Sequence, residues 1–478
     1  MLNALTFNVP LSVKNNPESS NFRPVLIALV ASAVLPVVQA AEPGAAQQAA
    51  VPQAESQSVP LAQADRQLHR QIDVDWWQRF DDPLLLDLIG DALAANPDLQ
   101  SAQASLRAAR AQSVIAGAAL KPELSGGGSA SRNEDRSSYG SGLDAGWALD
   151  IFGGNRDSAR ASREDLLASS ASLEDAQVSL ATEVASSYVN LRQAQTQMDI
   201  LQRNLAAQRE TAALIEARYR VGLDSELEYT QSRLSVGQLQ AQLPAQESSV
   251  RQSMHALALL SGEEPGALNA RLQRAGGVPY FAPSGGITEE AISAELVRRR
   301  PDLRVAEHNV TAASYRRDAA EAARYPSFRL GGSLNFNSLA LSDLFDSTSM
   351  ARSLLGSISV PLFNGGRLKE QVTVRDAQYE QALNGYRKTL LTALGDVANA
   401  FAALDSSEQR IPQLSENLEL ARDNQELAFA RYQAGAVNFQ TVIDSQRQVL
   451  SAEESLLRAR AENSLAAIGL YRALGGSW

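Results

Sequence analysis

The sequence predicts a mainly α-helical protein with a small β part, built as an internal duplication of very long helical hairpins and paired strands. The first observation is the stretch Asn155 to Val221, which contains neither Gly nor Pro. Its larger apolar residues fall at Leu166, Leu173 and Leu180, step to Val184, and resume at Leu191, Met198 and Leu205. Seven-residue spacing is the seam of a coiled coil, and a four-residue step relaxes its supercoil. A helix of this length runs roughly 100 Å and needs neighbours along all of it. The second observation is a repeat. Asn96-Pro97-Asp98-Leu99 returns as Arg300-Pro301-Asp302-Leu303, Pro122 as Pro326, and Gly127-Gly128-Ser129 as Gly331-Gly332-Ser333. Phe152 to Arg156 is answered by Phe363 to Arg367, Ala217 to Gly222 by Ala430 to Gly435, and Leu260-Ser261-Gly262 by Leu474-Gly475-Gly476. Ordered matches over a whole unit mark a duplicated supersecondary block. The third is a set of short segments, about two per block, in which apolar or small residues alternate with polar ones.

In chain order, Arg23 precedes an apolar run from Val25 to Val38 that Pro36 interrupts, and Val38-Gln39-Ala40 supplies small residues at a cleavage position. Residues 1–40 therefore read as an export signal cut after Ala40. Ala41 to Gln63 is rich in Ala, Gln, Pro and Ser, a flexible arm. It leads to Trp76-Trp77 and Phe80, a packing anchor, and to Asp82-Pro83, which can cap a helix with Pro in its first turn. The arm and an equatorial segment occupy 41–95, the first repeat 96–262, a Gly- and Pro-rich equatorial linker 263–299 and the second repeat 300–478. Each repeat reads as helix, two strands, very long helix, tight turn, helix. The short helices run from Pro97 to about Leu120 and from Pro301 to about Arg324. Strands are expected over Leu124 to Arg132, Gly142 to Ile151, Phe328 to Asn337 and Leu354 to Leu362. The second long helix, Arg367 to Tyr432, holds Gly385, Gly395 and Pro412, which could bend it.

Composition narrows the function. The 478-residue chain is 44% hydrophobic with a net charge of −11, and this acidity argues against nucleic acid as a partner. It has no Cys, hence no disulfide, thiolate chemistry or acylation site. After the leader no run of about 18–20 apolar residues occurs, so membrane residence would have to use strands. Four strands cannot close a barrel, and open edges in lipid leave backbone groups unpaired. Oligomerisation follows, and three copies supply 12 strands. His69, His255 and His308 are scattered without ligand spacing, and Gly126-Gly127-Gly128 lacks the Lys of a phosphate loop. No catalytic constellation, metal site or cofactor is expected. Gly222 and Gly435 stop the long helices in matching turns, Tyr219-Arg220-Val221-Gly222 and Tyr432-Gln433-Ala434-Gly435. Glu228 lies six residues beyond the first turn and Asp444 nine beyond the second; on helix pattern alone both are solvated charges.

The stretches Trp76 to Leu84, Asn96 to Leu99, Arg299 to Leu303, Pro361 to Arg367 and Leu470 to Gly476 together resemble the TolC-type outer-membrane efflux channels, within them the NodT/OprM-like branch. The resemblance covers nearly the whole chain after the leader. It implies a homotrimer whose 12-stranded outer-membrane β-barrel continues into a periplasmic α-barrel, serving as the exit duct of a tripartite efflux or export system. Its partners would be a periplasmic adaptor, an inner-membrane pump and outer-membrane lipid. By the same resemblance the two turns are periplasmic tips, Asp444 and Glu228 form an acidic channel gate, and Arg218, Tyr219, Arg431 and Tyr432 make tip contacts. Many members of the branch carry an acylated Cys after the signal; without one, this chain is expected to hold to the membrane by its barrel. A periplasmic coiled-coil adaptor or scaffold is the alternative, although adaptors lack barrel strands paired within each repeat.

Overall fold

The computed structural model describes residues 74–133, 136–273, 276–281 and 298–476. The export signal, the whole arm and part of the equatorial linker lie outside them. Among the described residues, α1 (Val74–Gln78) and α2 (Pro83–Ala95) precede the first repeat: α3 (Pro97–Ala118), β1 (Glu123–Asn133), β2 (Arg136–Leu149), α4 (Gly154–Arg220) and α5 (Glu226–Leu260). After α6 (Asn269–Leu272) the second repeat gives α7 (Pro301–Ala322), β3 (Ser327–Ser338), β4 (Met350–Ser359), α8 (Arg367–Gln433) and α9 (Phe439–Ala473). The duplication is closer in structure than in sequence. The short helices have 22 residues each, the rods 67 each and the returning helices 35 each. Gly385, Gly395 and Pro412 all lie within one continuous α8, and Pro244 within α5.

Two strands run differently from the sequence pattern, β2 already beginning six residues earlier than expected, at Arg136. β2 stops at Leu149 because Asp150 turns to cap the first rod, its two carboxylate oxygens accepting from the Asn155 and Arg156 amides at 3.1 and 2.9 Å. Gly153 starts that rod at φ +84°, a left-handed conformation that disfavours a Cβ. β4 begins earlier than the alternation suggested and ends at Ser359, two residues before Pro361, which has no N–H for the ladder.

The sheet has the order β1-β2-β3-β4, antiparallel throughout, so each repeat contributes a hairpin and the two join at β2–β3. Residues paired across strands share a face. Leu143 pairs with Leu334, Trp147 with Leu330, Leu149 with Phe328 and Phe328 with Ile358, which makes one face apolar. The other carries Ser125, Gly127 and Ser129 on β1, Gly142, Asp144 and Gly146 on β2, Arg329, Ser333 and Asn335 on β3, and Ser353, Leu355 and Ser357 on β4. On that face the Asn335 side chain lies across Gly142 and leaves no room for a Cβ. At the rod end of the sheet, Trp147 Nε1 donates to the Leu120 carbonyl at 3.0 Å and Phe152 stacks on Tyr325 at 4.9 Å. Exposed aromatics at one level are the belt expected where a barrel leaves the hydrocarbon.

The core sits where the rods cross the N-terminal segment. Trp77 packs on Tyr471 with ring centroids 4.7 Å apart, and Trp76 on Phe281 at 5.1 Å. Asp82 caps α2 through the Leu84 and Leu85 amides, while its other oxygen accepts from the Tyr188 hydroxyl of α4 at 2.6 Å. The repeated motif before each short helix performs the same task twice. Asn96 caps α3 and donates from Nδ2 to the Leu260 carbonyl at the end of α5. Arg300, buried and paired with Asp302 and Asp396, donates to the Ala473 carbonyl at the end of α9. Each tie fastens the start of a short helix to the end of its hairpin, satisfying carbonyls that a helix end leaves open. Asn96→Ala should therefore destabilise the fold by about 1–2 kcal/mol, since cap and tie are lost together. Asn96→Asp keeps the cap but sets a carboxylate oxygen against the Leu260 carbonyl, so it should also be destabilised; wild-type stability of either variant in chemical unfolding followed by circular dichroism would contradict the assignment.

Candidate functional site

The sites singled out in the sequence lie at the rod ends farthest along the chain from the sheet. Both turns close in the same way. At the first, the Gly222 amide donates to the Tyr219 carbonyl at 3.0 Å and the Leu223 amide to Arg218 at 2.9 Å. At the second, Gly435 donates to Tyr432 and Ala436 to Arg431, both at 2.9 Å. The glycines take φ +76° and +71°, the positive values this helix-ending motif requires. The helices leaving the turns are capped differently. Ser225 and Glu228 form a reciprocal box, the Glu228 carboxylate accepting from the Ser225 amide at 2.8 Å, whereas Asn438 accepts from the Thr441 amide at 3.1 Å.

Between the turns, an apolar cluster joins the two hairpins through Ile215 of α4 and Tyr432, Phe439, Val442 and Ile443 of the second hairpin. One ionic contact sits on it. Arg218 donates from Nε to both oxygens of Asp224 at 3.0 Å, and its guanidinium lies 5.4 Å over the Tyr432 ring. The Asp224 side chain is only 3% exposed, so water screens this pair weakly. Burial first, and the Asp224 carboxylate second, push the Tyr432 phenol above its ordinary pKa and keep it neutral. Its hydroxyl lies beside that carboxylate outside hydrogen-bonding geometry. Tyr219 stacks on Tyr229 at 5.0 Å with ring planes 2° apart.

The structure thus brings Arg218 and Tyr432 together across the hairpins, with Tyr219 beside them on the first. Glu228 is engaged in capping its own helix. Asp444 is exposed and accepts a bond from Gln440 Nε2 at 2.9 Å, and Arg431 is exposed. The residue that sequence reasoning missed is Asp224, the buried acceptor that fixes Arg218. Its signal was present, because Ser225 and Glu228 have the spacing of a capping box, which marks Asp224 as the last residue of the turn. The turns also differ in surface: Val221 is 71% and Leu223 67% exposed at the first, where the second has Ala434 and Ala436.

With this geometry in hand, known proteins give a consistent comparison. The family model described as outer membrane efflux protein matches residues 88–263 and 292–476. The pyoverdine export outer membrane protein OpmQ of Pseudomonas aeruginosa is 31% identical over 84% of this chain and 87% of its own length. The toluene efflux pump outer membrane protein TtgF of Pseudomonas putida is 31% identical over 95% of each. The solved outer-membrane channel OprN superposes with a TM-score of 0.78 at 31% identity, over 84% of this chain and 92% of its own.

If Asp224 fixes Arg218 across the first turn and over the Tyr432 ring, Asp224→Asn should raise amide hydrogen exchange across residues 215–229 by about tenfold, the loss of roughly one charge-assisted bond. Asp444→Asn, at an exposed site, should leave that exchange unchanged. The reverse ranking would remove Asp224 from its role.

Proposed function

The chain belongs to the outer membrane efflux protein family, and on that premise we propose how its residues form and close the duct. It is an outer-membrane exit channel of a tripartite export system, working with a periplasmic adaptor and an inner-membrane pump, and it performs no chemistry. The observation that carries the duct reading is the sheet: one apolar face, one face mostly of Gly, Ser and Asn with Asp144 and Arg329 among them, and two open edges, standing on rods of 67 residues. Three copies joined edge to edge pair every strand. They present the apolar face to lipid and leave the mostly small and polar residues of the other face around a bore. The rods continue the bore as a helical wall into the periplasm.

The turns are its periplasmic end. There the exposed Val221 and Leu223 offer an apolar rim for the adaptor, and three copies of Asp444 place exposed carboxylates at one level about the axis. Such a ring attracts cations and resists anions. Glu228 adds charge at the first turn while capping its helix. The Tyr432 cluster, with Asp224 holding Arg218 over the Tyr432 ring, is the latch between the two hairpins of a copy, so closing the aperture falls to it and selecting to the exposed acids. Relatives named for pyoverdine export and toluene efflux are each 31% identical to this chain. Choice of solute is accordingly assigned to the pump and adaptor.

Planar-bilayer recording tests the gate. Asp444→Asn combined with Glu228→Gln, which keeps the capping box, should raise single-channel conductance and lower cation preference, each change alone doing less. Heat resistance of the oligomer should stay nearly unchanged, because exposed charges contribute little to stability. Unaltered conductance and selectivity in an inserted double variant would leave these carboxylates as solvated charges.

A further inference from the structure

The apolar face of the sheet carries two charges that a duct does not need. Because the strands pair in unbroken register, that face holds the even-numbered residues of β1, β3 and β4 and the odd-numbered residues of β2. Gly126 pairs with Leu143, Leu143 with Leu334 and Leu334 with Arg352, while Arg132 lies six residues beyond Gly126 and so faces the same way. Among the described strand residues, Arg132 and Arg352 are the only charged ones on this face, and both are exposed. No carboxylate among the described residues bonds either guanidinium; Arg352 Nη2 lies 3.6 Å from Met350 Sδ.

Their height is informative. Counted from the rod end of its strand, Arg132 is the tenth residue of β1 and Arg352 the eighth of β4. At ~3.3 Å per residue and a tilt of roughly 40°, both stand about 20–25 Å above the rods, the height of a barrel's apolar band. A basic side chain is tolerated best at that boundary. Both also sit on edge strands. When β4 of one copy pairs with β1 of the next, strands about 4.8 Å apart carry Arg352 and Arg132 at nearly one level. Two like charges then meet at each join, which is unfavourable until an anion lies between them.

Apolar surface continues past this level. Leu339, Leu341 and Phe345 in the β3–β4 connection are 67%, 65% and 72% exposed, and Phe345 meets Phe336 edge-on at 5.6 Å. We propose that Arg132 of one copy and Arg352 of the next bind the phosphates of an acylated, phosphorylated glycolipid of the outer leaflet, one molecule at each join of the barrel. The ligand matches the surface in three layers: acyl chains along Leu334 and Leu354, phosphates on the guanidinium forks, and the C–H faces of sugar rings against Leu339 and Phe345. Guanidinium takes phosphate by two parallel bonds, a geometry that Lys lacks. A phospholipid fills the first two layers and leaves the third in water, and free phosphate fills only the second. The proposal rests on the duct reading, which sets this end of the sheet outside the cell, and adds to it a lipid site completed by the neighbouring copy.

The test uses the full-length channel, delipidated and returned to nanodiscs with a trace of one probe: bis-phosphorylated lipid A, the same lipid dephosphorylated, or phosphatidylglycerol. Native mass spectrometry counts the probe molecules retained. The wild-type channel should hold the bis-phosphorylated form at least about fivefold more than either other probe. Arg132→Gln and Arg352→Gln should each remove about as much as the two together, because one headgroup uses both, and the double Arg→Lys variant should restore part of it. Equal retention of the three probes by the wild-type channel, a comparison that needs no variant to fold, would overturn the proposal. So would undiminished retention in an assembled double Gln variant, or a half-loss from each single change, the mark of two separate sites. A wild-type chain that forms no conducting oligomer would instead overturn the duct reading.

Discussion

The organisation of this molecule depends on the unpaired backbone of two strands. β1 and β4 leave a row of N–H and C=O groups open along each edge of a sheet whose paired rows place apolar side chains on one face. In water such edges invite aggregation, and in lipid each unsatisfied group costs several kcal/mol. Both difficulties vanish when β4 of one copy pairs with β1 of the next. The same step brings the end helices of neighbouring copies together, which is where the chain leaves Leu227, Leu234, Leu420 and Leu427 uncovered. Sheet edges and helix edges therefore demand one arrangement.

Duplication makes that arrangement regular. Equal helix lengths in the two repeats keep both turns at one height, and the ties from Asn96 to Leu260 and from Arg300 to Ala473 set each short helix against the end of its own hairpin. The residues differ and the physics does not: one amide and one guanidinium each satisfy a carbonyl left open at a helix end. Where the repeats diverge, the divergence falls at the turns. A capping box with buried Asp224 and exposed Val221 and Leu223 stands on one side, and Asn438 with small residues on the other. Asymmetry at the turns gives the first hairpin the latch acceptor and the apolar rim, and the second the buried aromatic and the exposed Asp444.

Much of this was legible in the residues. The Gly- and Pro-free run predicted the first rod to within a residue at each end, and the matched motifs predicted the second despite its internal Gly and Pro. Packing against α9 along its length outweighs a single Pro412. What the sequence concealed was contact between distant segments. That Asp150 would leave its strand to cap a rod, and that Asp224 would be buried against Arg218 beneath Tyr432, depend on side-chain direction and partner proximity that periodicity does not encode. The polar residues Gln197, Asn204 and Thr211 recur at seven-residue spacing in α4, yet their bonds to Glu454, Glu453 and Gln446 required knowing that α9 lies opposite. Helix patterns declare which face is polar and leave open what that face meets.

The central claim is that three copies close one barrel, and native mass measurement of protein extracted from outer membranes in mild detergent tests it most directly. The account predicts a complex of three chains, about 12 strands in one closed sheet, with no folded single chain at equilibrium. A stable monomer retaining its strands would contradict it, because the edges of β1 and β4 would then have to be satisfied in some way other than by each other.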